Sequence, residues 1–95
     1  MEQHTHTFPG SHPVTRRAHV GVVGSGDLEV LIEPADCGVT VGLRTSADGF
    51  DSSWQAVLER FFSRAGIAAK VEINDFGATP GTIALRLSQA VEAAK

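Results

Sequence analysis

With a single cysteine, Cys37, in 95 residues, the chain has no partner for an internal disulfide and cannot build a four-cysteine zinc site on its own. It also lacks any apolar run approaching the ~20 residues that a membrane-spanning helix needs. Its first residues show no basic stretch followed by an apolar one, so no export signal is expected and a cytoplasmic setting follows. Positive charge is scarce: 8 Lys and Arg against 11 Asp and Glu give a net charge of -3, and Arg16-Arg17 is the sole adjacent basic pair. Nucleic acid and membrane surfaces are therefore not expected partners. What is present, 42% hydrophobic and 20% charged residues, suits one soluble globular core too small for a second domain and a cleft between them.

Against this plain background the run Ala18-His19-Val20-Gly21-Val22-Val23-Gly24-Ser25-Gly26-Asp27-Leu28-Glu29-Val30-Leu31-Ile32-Glu33 is distinctive. Strand-like sequence flanks a serine set between two glycines. Gly24 and Gly26 remove neighbouring side chains and permit positive φ, so Ser25 is expected at a tight turn with its hydroxyl exposed. Alternation after Asp27 reads as a strand, which makes the unit a hairpin. A phosphate-cradling loop or a serine-nucleophile elbow would need a helix at this point, and the elbow a base and an orienting acid besides. Ser25 thus reads as a residue to be modified, with Gly24, Gly26 and Asp27 as candidate recognition residues. Acidic Asp27, Glu29 and Glu33 nearby suit docking to basic partner surfaces.

Other reactive residue types carry weaker signals. Cys37 lies in a turn-like Pro34-Ala35-Asp36-Cys37-Gly38 and reads as an inert thiol. His4 and His6 are two apart, which on an extended segment places both on one side, but no third metal ligand is indicated. His19 reads as an ordinary strand residue. No catalytic residue and no metal ligand is expected.

Along the chain, residues 1–15, with three of the four histidines and two prolines, read as a flexible N-terminal extension, and residues 16–95 as a single domain. Strands are expected at about 18–23, 28–33 and 39–45, as an antiparallel meander. Trp54, Val57, Leu58, Phe61, Phe62 and Ala65 then share one helical face, with Ser52 and Gln55 at capping-box spacing and Gly66 as terminator. Lys70 to Asn74 alternates as a fourth strand. Thr79 and Pro80 mark the N-cap and first position of a last helix, whose apolar face is Ile83, Leu87, Ala90, Val91 and Ala94. The Gly77-to-Gly81 turn offers helix N–H groups that a phosphate could use, with Thr79 and Gly81 as the residues to alter. The order βββαβα predicts an α+β two-layer sandwich, a mainly antiparallel four-stranded sheet with two helices on one face.

Two separated segments, Val20 to Leu31 and Asn74-Asp75-Phe76-Gly77-Ala78-Thr79-Pro80-Gly81 followed by Leu85-Arg86-Leu87, resemble the acyl carrier (delta) subunit family of malonate decarboxylase. The resemblance covers most of the chain after residue 17. It implies that Ser25 is the covalent attachment site of 2'-(5''-phosphoribosyl)-3'-dephospho-CoA, whose thiol carries acetyl and malonyl groups. It further implies a non-catalytic carrier that works with a malonate/acetyl carrier transferase subunit and decarboxylase subunits, and that is loaded by a holo-carrier synthase and a malonyl transferase. The chemistry is sensible, because a malonyl thioester loses CO2 to give an enolate that an active site can stabilise better than that of free acetate. A tethered arm also keeps the acyl group at high effective concentration. The ordinary phosphopantetheine carriers are helical bundles with the serine at a helix start, unlike the pattern here. Alternatives are a non-covalent α+β assembly module, the carrier subunit of a citrate lyase-like complex, and a small hydrolase built on Ser25 and His19.

Overall fold

The computed structural model describes residues 2–24 and 26–95. Six strands and two helices follow in the order β1 (Glu2–Phe8), β2 (His12–Pro13), β3 (Ala18–Gly21), β4 (Asp27–Pro34), β5 (Val39–Thr45), α1 (Asp51–Ala65), β6 (Ile67–Phe76) and α2 (Pro80–Ala94). From residue 18 onward the order is the expected βββαβα, and both helices cover one face of the sheet. Leu28, Val30 and Ile32 on β4, Val39, Val41 and Leu43 on β5, and Val71 and Ile73 on β6 are all buried there. Trp54, Leu58 and Phe62 of α1 and Ile83 and Leu87 of α2 close the same core. Each such side chain contributes roughly 1.5–3 kcal/mol by leaving water.

The meander does not form. The sheet order is β1-β5-β6-β4-β3, so β6 inserts between β4 and β5, antiparallel to the first and parallel to the second. A parallel pair needs a crossover, and α1 provides it. In the centre, β6 has all its helix-facing residues from Ile67 to Asp75 buried, and its apolar Ile67, Val71 and Ile73 would be only half-covered at an edge.

The expected flexible extension of residues 1–15 is also corrected. Residues 2–8 form an edge strand paired antiparallel with β5, from Glu2 opposite Thr45 to Phe8 opposite Val39. His12 and Pro13 pair in parallel with Ile67 and Ala68. Thr15 N–H and Arg16 N–H both donate to Ala94 O, which ties the segment to the end of α2. The physical reason is an alternation in which two positions are histidine. His6 and Phe8 are buried, while Thr5 and Thr7 face water.

Local signals at the helix ends divide. Gly66 terminates α1 at φ 65 and its N–H donates to Phe62 O. Thr79 caps α2, accepting from Thr82 N–H, and Pro80 is its first residue. The capping box at Ser52 and Gln55 is not used: α1 begins at Asp51 with Phe50 as N-cap and no side-chain cap. Gln55 Oε1 instead bonds His6 Nδ1 across to β1.

Candidate functional site

β3 and β4 form a hairpin whose last paired residues are Gly21 and Glu29. Gly21 has φ +86, and a Cβ there would meet Leu28 O at 2.0 Å, so the approach of the two strands requires glycine. That turn ends β3 two residues earlier than expected. Val22 and Val23 leave the ladder and are 58% and 60% exposed. Beyond them, Asp27 N–H donates to Gly24 O at 3.1 Å and Gly26 N–H donates to Phe76 O at 2.7 Å. The tip is therefore fastened to the end of β6. Gly26 has φ +79, and a Cβ on either Gly24 or Gly26 would meet nothing within 4 Å. Ser25 itself lies outside the described residues. Its two neighbours stand in open space on a base fixed by backbone hydrogen bonds.

The base is fixed by charge as well. Arg86 on α2 grips Asp27 with both ends of its guanidinium, Nε donating to Oδ1 at 3.1 Å and Nη2 to Oδ2 at 2.7 Å. Leu28 N–H also donates to Oδ1 at 2.7 Å. Arg86 first, and Leu28 N–H second, hold the Asp27 carboxyl below its ordinary range, and the Arg86 guanidinium is raised in turn. Both Asp27 oxygens are thus engaged within the chain, and the residue that locks the hairpin to α2 is Arg86. Sequence reasoning gave Arg86 no role, although it stands in the Leu85-Arg86-Leu87 segment that carries the resemblance.

The loop after β6 packs beside the tip. Asp75 is 3% exposed, accepting from Thr45 Oγ1 at 2.8 Å and from Ala78 N–H at 2.9 Å. Those bonds set the turn that delivers Thr79 and Pro80 to the start of α2. The Gly77-to-Gly81 turn is accordingly built as a helix start, with Thr79 O also accepting from Ile83 N–H.

The remaining candidates lie elsewhere. His19 sits opposite Leu31 on the sheet face turned away from the helices, and its Nε2 meets Glu29 Oε2 at 2.9 Å. Asn74 Nδ2 donates to the other Glu29 oxygen, so Asn74 first and His19 second lower the Glu29 carboxyl. His4 and His6 do share one side of β1, facing Asp51 Oδ1 at 3.4 and 3.0 Å. Among the described residues no group of three or more His, Cys, Asp and Glu is arranged to hold a metal ion. Cys37 is exposed before β5, at the opposite end of the sheet from the tip.

An open, rigidly based two-glycine tip fits a bulky group attached at Ser25, since neither neighbour contributes a side chain to obstruct it. These features define a small α+β domain with one open, glycine-flanked loop held at its base. Comparison with known proteins makes the class specific. The family model described as "ACP: Malonate decarboxylase delta subunit (MdcD)" matches residues 15–94. The chain is 48% identical over 94 residues to a malonate decarboxylase acyl carrier protein of Azotobacter vinelandii, covering 97% of this chain and 95% of that one. A protein of the same name from Pseudomonas paraeruginosa is 49% identical over 96 residues, covering 99% and 97%. Its fold also matches a chain in the crystal structure of a Pseudomonas malonate decarboxylase hetero-tetramer in complex with malonate, with TM-score 0.94, 44% identity and full coverage of both chains. The protein belongs to the malonate decarboxylase delta subunit family of acyl carrier proteins.

Proposed function

We propose that this chain is the acyl carrier subunit of a malonate decarboxylase, with 2'-(5''-phosphoribosyl)-3'-dephospho-CoA attached covalently at Ser25. The observation that carries the reading is the Gly24/Gly26 tip, unobstructed on both sides yet held by Phe76 O and Arg86. The group, when bound, supplies a thiol that holds acetyl or malonyl as a thioester. The chain's own residues do something simpler: they hold the anchor point clear of the fold so that several active sites can reach it in turn. No base beside Ser25 is required, because a separate holo-carrier synthase activates its hydroxyl during loading.

In this reading the protein is non-catalytic. A transferase subunit exchanges acetate for malonate on the thiol, decarboxylase subunits release CO2, and a malonyl transferase charges the carrier. The neighbouring structure being a hetero-tetramer supports a life among other subunits. Among the described residues no helix is long and apolar enough to cross a membrane.

Intact mass of the chain from its own host grown on malonate, with fragmentation of the peptide containing Ser25, tests the proposal. A phosphoribosyl-dephospho-CoA adduct on Ser25 is expected, and Ser25→Ala is expected to lose the adduct and all malonate turnover by the reconstituted complex. Plain phosphopantetheine, or an unmodified chain in an active extract, would overturn it.

A further inference from the structure

At the end of the molecule that carries the Gly24/Gly26 tip, a hollow of about 380 Å³ opens between the starts of the two helices. Phe50, Trp54 and Val57 form one wall, and Ala78, Pro80 and Ile83 the other. Its only charged lining residue is Asp75, whose two oxygens are already taken by Thr45 Oγ1 and Ala78 N–H. What the walls offer a ligand is therefore apolar surface.

Two observations make this more than a gap between helices. Phe50 is 55% exposed and holds the N-cap of α1, where a Ser, Thr, Asp or Asn would bond a helix N–H. One residue thus departs from both burial and capping preferences, and such departures concentrate where function overrides stability. Moreover, the hollow adjoins the tip. Gly26 N–H is bonded to Phe76 O, and a Cβ on the next residue, Gly77 at the rim, would lie 3.9 Å from Gly26 N.

We infer that this hollow shelters the acetyl thioester end of the arm carried by Ser25, an inference that rests on the reading of Ser25 as the anchor. The acetyl end is small, uncharged and largely apolar, which matches walls without a free charge. Burying the thioester carbonyl against Phe50, Trp54 and Ile83 keeps water from it between visits to the enzymes. The shelter is open on one side, so a partner active site can draw the arm out without unfolding anything.

The test uses the acetylated full-length holo-chain with a 13C-labelled acetyl methyl. Nuclear Overhauser contacts from that methyl to Trp54 and Ile83 are expected. Ala47→Trp, which fills the hollow from its rim, and Phe50→Ser, which removes part of its wall, are each expected to speed thioester hydrolysis. If the sheltered state holds about four-fifths of the molecules, the acceleration is about fivefold in the variant that abolishes it. Two variants, one at the rim and one in the wall, guard against misreading a folding defect. Absence of those contacts together with unchanged hydrolysis in both variants overturns the inference and leaves the hollow to a partner subunit's apolar side chain. An unmodified Ser25 overturns the anchor reading and this inference together, whereas a modified Ser25 with no such contacts and unchanged hydrolysis in both variants overturns this inference alone.

Discussion

The two helices have the same length, 15 residues, and begin at the same end of the molecule, yet they begin differently. α2 follows the rules: Thr79 caps it, Pro80 fills a position whose N–H would be unpaired anyway, and Ile83 turns at once into the core. α1 starts at an exposed phenylalanine with no side-chain cap. The contrast is confined to the first turn, because further along each helix fully buries one leucine, Leu58 in α1 and Leu87 in α2. The difference teaches that α1 forgoes a capping bond that α2 keeps, and that α2, through Arg86 nearly two turns on, also holds the tip in place.

The largest effects test whether the helices are otherwise equivalent. Leu58 and Leu87 stand at the same step along their helices and are 0% and 1% exposed. Leu58→Ala and Leu87→Ala should each lose about 2–5 kcal/mol in urea unfolding, within about 1 kcal/mol of each other. A much smaller loss for Leu58→Ala would mean that α1 is loose throughout, and the comparison would no longer concern its first turn.

Smaller and opposite effects are expected at the caps themselves. Thr79→Ala removes the bond to Thr82 N–H and should cost about 1 kcal/mol, while Phe50→Ser installs a cap and should gain a similar amount. Midpoints shifting in opposite directions at constant m would show that Phe50 is held against stability. A destabilised Phe50→Ser protein would mean instead that the half of the ring in contact with the fold outweighs the missing cap.

Why some of this was readable from the amino-acid sequence and some was not follows from sequence distance. β5 falls on 39–45 as expected, and Gly66, Thr79 and Pro80 act where they stand, because each depends on neighbours a few residues away. The glycine pair around Ser25 was legible for the same reason. β1 was missed because its core-facing positions include histidine, which is polar by composition but buried here against Gln55 and Asp51. The full length of β6 was missed because Ala68 and Ala69 carry little strand preference; burial in the sheet centre decides their state. Strand order depends on which edges meet, so the insertion of β6 between β4 and β5 had no local signature. The Asp27–Arg86 pair joins residues 59 apart, beyond the reach of any periodicity.

That pair yields the subtlest expectation, a shift in titration. Arg86 and the Leu28 N–H favour the charged form of Asp27, so its carboxyl in the folded chain lies below its unfolded value. Stability from the pair is therefore fully present above the ordinary carboxylate range and is lost as pH falls through the lowered folded value. Carboxyl 13C titration of the folded chain should find Asp27 protonating below the ordinary aspartate range. In Arg86→Gln its titration should move upward toward that range, and the extra acid sensitivity of the hairpin should shrink with it. Glu29 provides the control: it is lowered by Asn74 and then His19, neither of which touches Arg86, so its titration should stay where it was. If Asp27 moves and Glu29 does not, α2 holds the tip through one ion pair. If Asp27 already titrates normally in the unaltered chain, the tip is held by its backbone bond to Phe76 alone, and the two helix starts differ in capping but not in their grip on the anchor.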